Sequence, residues 1–383
     1  MKFFHTADWH LGKLVHGVYM TEDQCFVLEQ FVQAVKEEKP DAVIIAGDLY
    51  DRAIPPTEAV DLLNEVLEKI VIDLETPVLA VAGNHDSPDR IHFGSGLMKK
   101  QGLHIAGQYQ YPYNPVILHD EYGEVHFHLV PYADPSIVRH VLQNEDVRSH
   151  DDAMRILMNE IGEKMDTKVR HVFVGHLFVT PSGEAEKNTS DAERPLSIGG
   201  AEYVNSHYFQ KFHYTALGHL HQAHYVRDET IRYAGSPLTY SISEEHHKKG
   251  YYIVELDGEG KIEIEKRLLT PRRTMRTVEA KIDDLLQHDV CGDYVFVKLL
   301  DENPVLQPME KIRSVYPNAM HVERAMLRRE VVENNEEVVS RHKMDDISLV
   351  RAFYKEMKGT ELSSEKERFF LEVLQEVHKR EGE

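Results

Sequence analysis

The chain has little sulfur, little positive charge and no long apolar run. Cysteine occurs twice, at Cys25 and Cys291, far apart and without metal-type spacing. That pattern fits a reducing cytoplasm and marks neither thiol as catalytic. No apolar stretch approaches the roughly 20 residues of a membrane span, so no membrane is expected. The opening MKFFHTADWH is not a signal peptide: its apolar run is too short and charge follows soon after. Lys and Arg number 44 against 65 Asp and Glu, a formal net charge of −21. This argues against nonspecific coating of nucleic acid, because phosphates would be repelled. A local site where metal ions and a few arginines reverse the field stays open.

What is present is a large apolar content, 42% of 383 residues. That suffices for a full core and is too long for one compact domain, which predicts two or three units. Histidine is plentiful, at 24 residues, so position must count for more than presence.

Several apolar runs end alike. KFFHTADWH ends in Asp8 and His10, DAVIIAGDLYD in Gly47 and Asp48, and PVLAVAGNHD in Gly83, Asn84 and His85. HVFVGH ends at His176, and HYTALGHLH at His219 and His221. Short apolar runs bounded by glycine read as buried strands. Amphipathic helical patterns at 21–39, 56–74 and 152–164 alternate with them, which implies an α/β domain. The polar stretch 184–194 reads as a loop, and 250–270 as a hairpin. After Pro271, strand and helix signals predict a small α+β domain at 271–328. A charged linker follows at 329–340, then two amphipathic helices within 341–383.

Open α/β sheets bind ligands beyond the carboxyl ends of their strands. Asp8, His10, Asp48, Asn84, His176, His219 and His221 all fall there. Seven oxygen and nitrogen donors are too many for one metal and suit two ions sharing a carboxylate. Without thiolate, the set favours manganese or iron and admits zinc. Two such ions suit in-line displacement at phosphorus. A lone GD or GH is usually only a turn; five such strand ends in one chain are hard to ascribe to turns.

The motifs DWH, GDLYD, GNHD, VGH and GHLH resemble those of the calcineurin-like metallophosphoesterases. More narrowly, HTADWHLGK, AGDLYDRAIPP and AGNHDSPDR resemble the break-repair nuclease family. The resemblance implies a β-sandwich flanked by helices at 1–270, with the small domain capping the DNA. It implies that Asp8, His10 and His221 hold one divalent ion, Asn84, His176 and His219 the other, with Asp48 bridging, most naturally as a pair of Mn²⁺ ions. His85 would face the scissile phosphate. Asp51 would pair with His85 through its carboxylate, raising the imidazole's proton affinity and fixing its tautomer.

Arg52, Lys13, His16 and Arg90 lie on loops beside the motifs and are candidate DNA contacts. Arg272, Arg273 and Arg276 in PRRTMR would wall a DNA groove. The resemblance also implies a partner, an ATPase with a long coiled coil, onto which the C-terminal helices dock, and a homodimer within a heterotetramer acting at the nucleoid. No G-x-x-x-x-G-K-[ST] loop is found, so any ATP belongs to the partner. Two other readings remain: a phosphoesterase acting on a small nucleotide or phosphoprotein, and a non-catalytic scaffold.

Overall fold

The structure is a computed structural model and describes residues 1–110, 113–183, 190–193, 202–324 and 346–371. Strands β1 (Lys2–Thr6), β2 (Leu14–Val15), β3 (Val18–Tyr19), β4 (Ala42–Ala46), β5 (Val78–Val81) and β6 (Leu103–Ala106) come first. Strands β7 (Val116–Asp120), β8 (Gly123–Val130), β9 (Arg170–His176), β10 (Phe178–Thr180), β11 (Tyr203–Asn205) and β12 (Tyr214–Gly218) follow. Then come β13 (His224–Val226), β14 (Asp228–Tyr233), β15 (Gly250–Leu256) and β16 (Ile262–Leu268).

Two six-stranded sheets face each other. One runs β16-β15-β1-β4-β5-β6 and the other β13-β14-β12-β9-β8-β7. Their facing side chains, among them Phe3, Ile44, Leu79, Phe127, Val174, Tyr214 and Val254, form one core. Helices α1 (Thr21–Glu38) and α2 (Thr57–Glu68) cover the outer face of the first sheet through Phe31, Val35, Leu62 and Leu63. The helix His150–Lys164 covers the second sheet through Leu157 and Ile161. This is the expected helix-flanked sandwich.

The sequence explains the layering. All five residues of β4, AVIIA, are buried, as suits a parallel strand covered on both faces. Edge strand β16 alternates instead, with Ile262 and Ile264 packed inward and Glu263 and Glu265 exposed. The helical pattern at 56–74 divides in two: the α-helix ends at Glu68, and a π-turn spans Lys69–Asp73.

Strands β1, β4 and β5 are mutually parallel, as are β9 and β12. The two sets therefore present carboxyl ends that meet at one edge of the sandwich. There an added Cβ at Gly47 would overlap the His176 ring, and one at Gly83 would overlap the Asp48 carboxylate. Only glycine permits this approach.

Beyond Pro271, β17 (Met275–Ala280), β18 (Tyr294–Leu299) and β19 (Ala319–Arg324) form a parallel three-stranded sheet. It has its own core around Val295, Val297, Leu285 and Ile312. The β2–β3 hairpin, which leaves the DWH loop, packs beneath this sheet through Val15, Met20, Met275, Tyr294 and Phe296. The linker expected at 329–340 lies outside the described residues. Of the C-terminal helices, Asp346–Lys358 is described, and residues 364–371 are helical; 372–383 lie outside.

Candidate metal centre

The seven expected ligands converge. Six are buried and Asn84 is half-buried. Ligand atoms of Asp8, His10 and His221 lie within 4.8 Å of one another, as do those of Asp8, Asp48 and His176. Asp48 Oδ2 is 3.5 Å from His10 Nε2 and 3.4 Å from His176 Nε2, midway between two groups of donors. His10 Nε2 faces His221 Nε2 at 3.0 Å, and His176 Nε2 faces Asn84 Oδ1 at 2.9 Å.

The backbone is bent to achieve this. Asp8, His10, Asp48 and His219 all take positive φ, at 55°, 45°, 50° and 104°. Such conformations cost about 1–3 kcal/mol each for a residue with a side chain. The surrounding hydrogen bonds hold them. Gln24 of α1 donates to the carbonyls of Trp9 and His10 and accepts from Gly12 N. Asp8 Oδ1 accepts from His219 N at 2.9 Å, tying the first strand end to the last. Asp48 Oδ1 accepts from His85 N at 2.9 Å.

The donor set fits divalent cations. Asp8 Oδ2 and His10 Nδ1 are buried without a hydrogen-bond partner among the described residues, an arrangement that needs compensation. Burial holds His10 and His219 well below the usual imidazole range and lowers His221 as well, which favours the neutral form that ligates metal. Burial also works against the His176 imidazolium, but Asp48 and Asp8 outweigh it and lift that ring to about 9. Burial pushes the Asp8 carboxyl up, with Asp48 adding to it. Burial acts the same way on Asp48, but His176 and His10 overcome it and hold that carboxyl well below its ordinary range.

His85 is buried beside the centre, its ring edge-on to His10 with centroids 4.6 Å apart. The expected carboxylate pair with Asp51 does not form. His85 Nδ1 donates instead to the Asp51 backbone carbonyl at 2.7 Å. The Asp51 carboxylate binds Lys13 Nζ at 2.8 Å and lies 3.8 Å from His10 Nδ1. The loop after β4 gives the imidazole its peptide carbonyl as acceptor, while the Asp51 carboxylate stays within 4.8 Å of nitrogens of His10 and His85. The tautomer is fixed as expected, by a neutral acceptor.

The candidate DNA contacts separate. Arg52 and Arg90 are exposed on the rim, Arg90 on the short helix Pro88–His92. Lys13 is largely buried against Asp51 and is not a free cation. His16 packs edge-on against Phe296 of the small sheet, with centroids 4.9 Å apart. The PRRTMR arginines are also engaged. Arg272 pairs with Glu22 at 2.8 Å, Arg273 with buried Asp23 at 2.9 Å, and Arg276 with Asp293 at 2.7 Å. They fasten the small domain to α1 and to itself, so each is already paired with a carboxylate.

Three supporting residues carried no signal strong enough to single them out. Glu244 accepts from His221 Nδ1 at 2.7 Å. Asp86 accepts from the amides of Leu49, Tyr50 and Gly83, joining the GDLYD and GNHD loops. Burial, with Asp48 adding, lifts the Asp86 carboxyl to about 7. Gln24 is the third. Asp86 was legible in principle, as the last letter of GNHD; Glu244 and Gln24 stand in ordinary polar surroundings.

The family model of the calcineurin-like phosphoesterases matches residues 1–223. A second model, described as the type 5 capsule protein repressor C-terminal domain, matches residues 271–358. The SbcD subunit of the SbcCD nuclease of Staphylococcus epidermidis is 33% identical over 386 residues, covering 100% of both chains. The chain therefore belongs to the calcineurin-like phosphoesterases, a class of hydrolases, and within them to the SbcD nuclease subunits. Among solved structures, GAP50 of the Plasmodium inner membrane complex is 12% identical with a TM-score of 0.40, covering 84% of this chain and 96% of that one. A dimetal phosphatase from Danio rerio is 12% identical with a TM-score of 0.39, covering 71% and 97%.

Proposed function

We propose that the chain is a metal-dependent DNA nuclease, an exonuclease on double-stranded ends and an endonuclease at hairpins, working with an SbcC-type coiled-coil ATPase in DNA repair and recombination. The observation that carries this is the position of Asp48 Oδ2 between His10 and His176, with His85 turned to the same point. Asp8, His10 and His221 would hold one divalent ion, and Asn84, His176 and His219 the other, with Asp48 shared. Of the ions this donor set favours, manganese and iron, Mn²⁺ is the one proposed. Bound there, two such ions supply the Lewis acidity for in-line attack at a phosphodiester.

The chain's own residues do the rest. Asp51, through its carbonyl, keeps the His85 proton on Nδ1 and leaves Nε2 facing the site. His85 steadies charge on the phosphate or, when protonated, delivers a proton to the leaving oxygen. Arg52 and Arg90 on the rim contact the DNA backbone.

We assign residues 1–270 to the nuclease domain, 271–328 to the DNA cap, 329–340 to a linker and 341–383 to partner binding. Exposed Phe353, Phe369, Phe370 and Leu371 support the last assignment. The chain would act as a homodimer within a heterotetramer, in the cytoplasm at the nucleoid. No helix among the described residues is long and apolar enough to cross a membrane.

The test is cleavage of a labelled DNA hairpin with added Mn²⁺, with and without the ATPase, beside a small phosphodiester. Hairpin cutting supports the proposal. Turnover of the small ester alone would replace it with a small-substrate phosphodiesterase.

A further inference from the structure

Glu244 lies outside every strand-end motif, on the short turn Ile242–Glu244, and is fully buried. One carboxylate oxygen accepts from His221 Nδ1 at 2.7 Å and from Ser190 Oγ at 2.8 Å. The other accepts from Lys249 Nζ at 2.7 Å and from Tyr240 N at 3.1 Å. All four contacts are needed to offset the desolvation of a buried charge. Glu193 reaches the same histidine from the other side, accepting from His221 N at 2.6 Å and Ser190 N at 2.9 Å.

The site's imidazoles are anchored unequally. His176 Nδ1 donates to the Ala46 carbonyl at 3.0 Å, and His85 Nδ1 to the Asp51 carbonyl. Among the described residues of the centre, His221 alone hydrogen-bonds a carboxylate through Nδ1. A charged acceptor pins the tautomer with Nε2 bare, and makes that nitrogen a stronger donor to a cation than a carbonyl partner does. His221 Nε2 is then the acceptor facing His10 Nε2 at 3.0 Å, and its lone pair is the one an ion would take up. Lys249 balances the carboxylate's charge without touching the imidazole ring; its remaining bonds go to the His221 carbonyl and Ser236 Oγ.

We infer that Glu244 is a positioning residue that sets the ion affinity of the Asp8–His10–His221 half of the centre and leaves the Asn84–His176–His219 half unchanged. This rests on the two-ion reading proposed above. It makes the two ion sites inequivalent, the first tuned from a turn remote in sequence from the motifs.

The test is calorimetric titration of the metal-free full-length chain with Mn²⁺, for wild type, Glu244→Gln and the double variant Glu244→Gln/Lys249→Met. Glu244→Gln is expected to weaken one binding event about 10–100-fold and spare the other. The electron paramagnetic resonance signal of a coupled Mn²⁺ pair should give way to that of an isolated ion at the same metal ratio. The double variant removes the buried cation that Glu244→Gln would orphan, and thermal melting of the metal-free proteins confirms that each is folded. One weakened event persisting in the folded double variant supports the inference. Restored binding there would overturn it, since Glu244 would then serve only to neutralise Lys249. Equal weakening of both events would also overturn it. A wild type that binds fewer than two ions would overturn the two-ion reading itself, and the inference with it.

Discussion

His85 Nδ1 lies 2.7 Å from the backbone carbonyl of Asp51, while the Asp51 carboxylate binds Lys13 Nζ at 2.8 Å. One residue thus orients the imidazole with its peptide and neutralises a rim lysine with its side chain. Substitution of the side chain spares the first role. Asp51→Asn should therefore lower the rate of Mn²⁺-dependent cleavage by less than about tenfold and leave its pH profile unmoved, well short of the 10²–10⁴-fold scale of a general acid. A shifted profile would show that the carboxylate tunes His85 after all.

Metal binding should release protons. His176 is lifted to about 9, which favours a proton on the ring at pH 7 that must leave for it to ligate. The group's pKa is raised, so the proton competes most strongly at low pH. Apparent Mn²⁺ affinity should rise with pH up to about 9, near tenfold per unit for each proton displaced. Titrations in buffers of different ionisation enthalpy measure the count; no release at pH 7 would contradict a charged His176.

Gly83→Ala should damage the centre without replacing a ligand. Its Cβ would overlap the Asp48 carboxylate and backbone nitrogen. Overpacking of this kind costs about 1–3 kcal/mol. The expected result is a folded protein of lower melting temperature that binds less than its full complement of ions, read by thermal melting and metal analysis.

Far from the site, Arg170 grips Asp120 with both guanidinium nitrogens, at 2.6 and 2.8 Å, and both side chains are buried. Arg170 foremost holds the Asp120 carboxyl well below its ordinary range. A depressed carboxyl contributes stability that is full above the unfolded value of about 3.9 and is lost as pH falls toward the folded one. Asp120→Ala should cost about 3–5 kcal/mol at pH 7, because it deprives two buried cations, Arg170 and the N-terminal amine, of their carboxylate. The gap from wild type should hold from pH 5 to 8 and narrow below pH 4. Denaturant melts across that range measure it.

The strand-end motifs were legible because each joins a short-range signal, a β-branched run, to polar groups the strand cannot bury. Asp8, Asp48 and His176 could each be a mere turn when read alone; their recurrence at five strand ends made them legible, and parallel pairing brings them together. Glu244 was not legible. It is one acid in SISEEHHKKG, and its meaning arises only when the turn after Tyr240 meets His221. The arginines of PRRTMR show the converse. Their charge is plain in the sequence, but Glu22, Asp23 and Asp293 take it up across distances no local pattern shows. The spacing of GDLYD and GNHD points Asp51 to His85, but spacing cannot tell a side chain from its peptide, and here the peptide carbonyl takes the hydrogen bond.

The account turns on His85 acting at a phosphodiester held by a two-ion centre. The most direct measurement compares hairpin cleavage by wild type and His85→Gln, with bound Mn²⁺ counted in both. The account predicts a variant that still holds two ions and cuts about 10²–10⁴-fold more slowly. A variant that keeps both ions and cuts at the wild-type rate would contradict it.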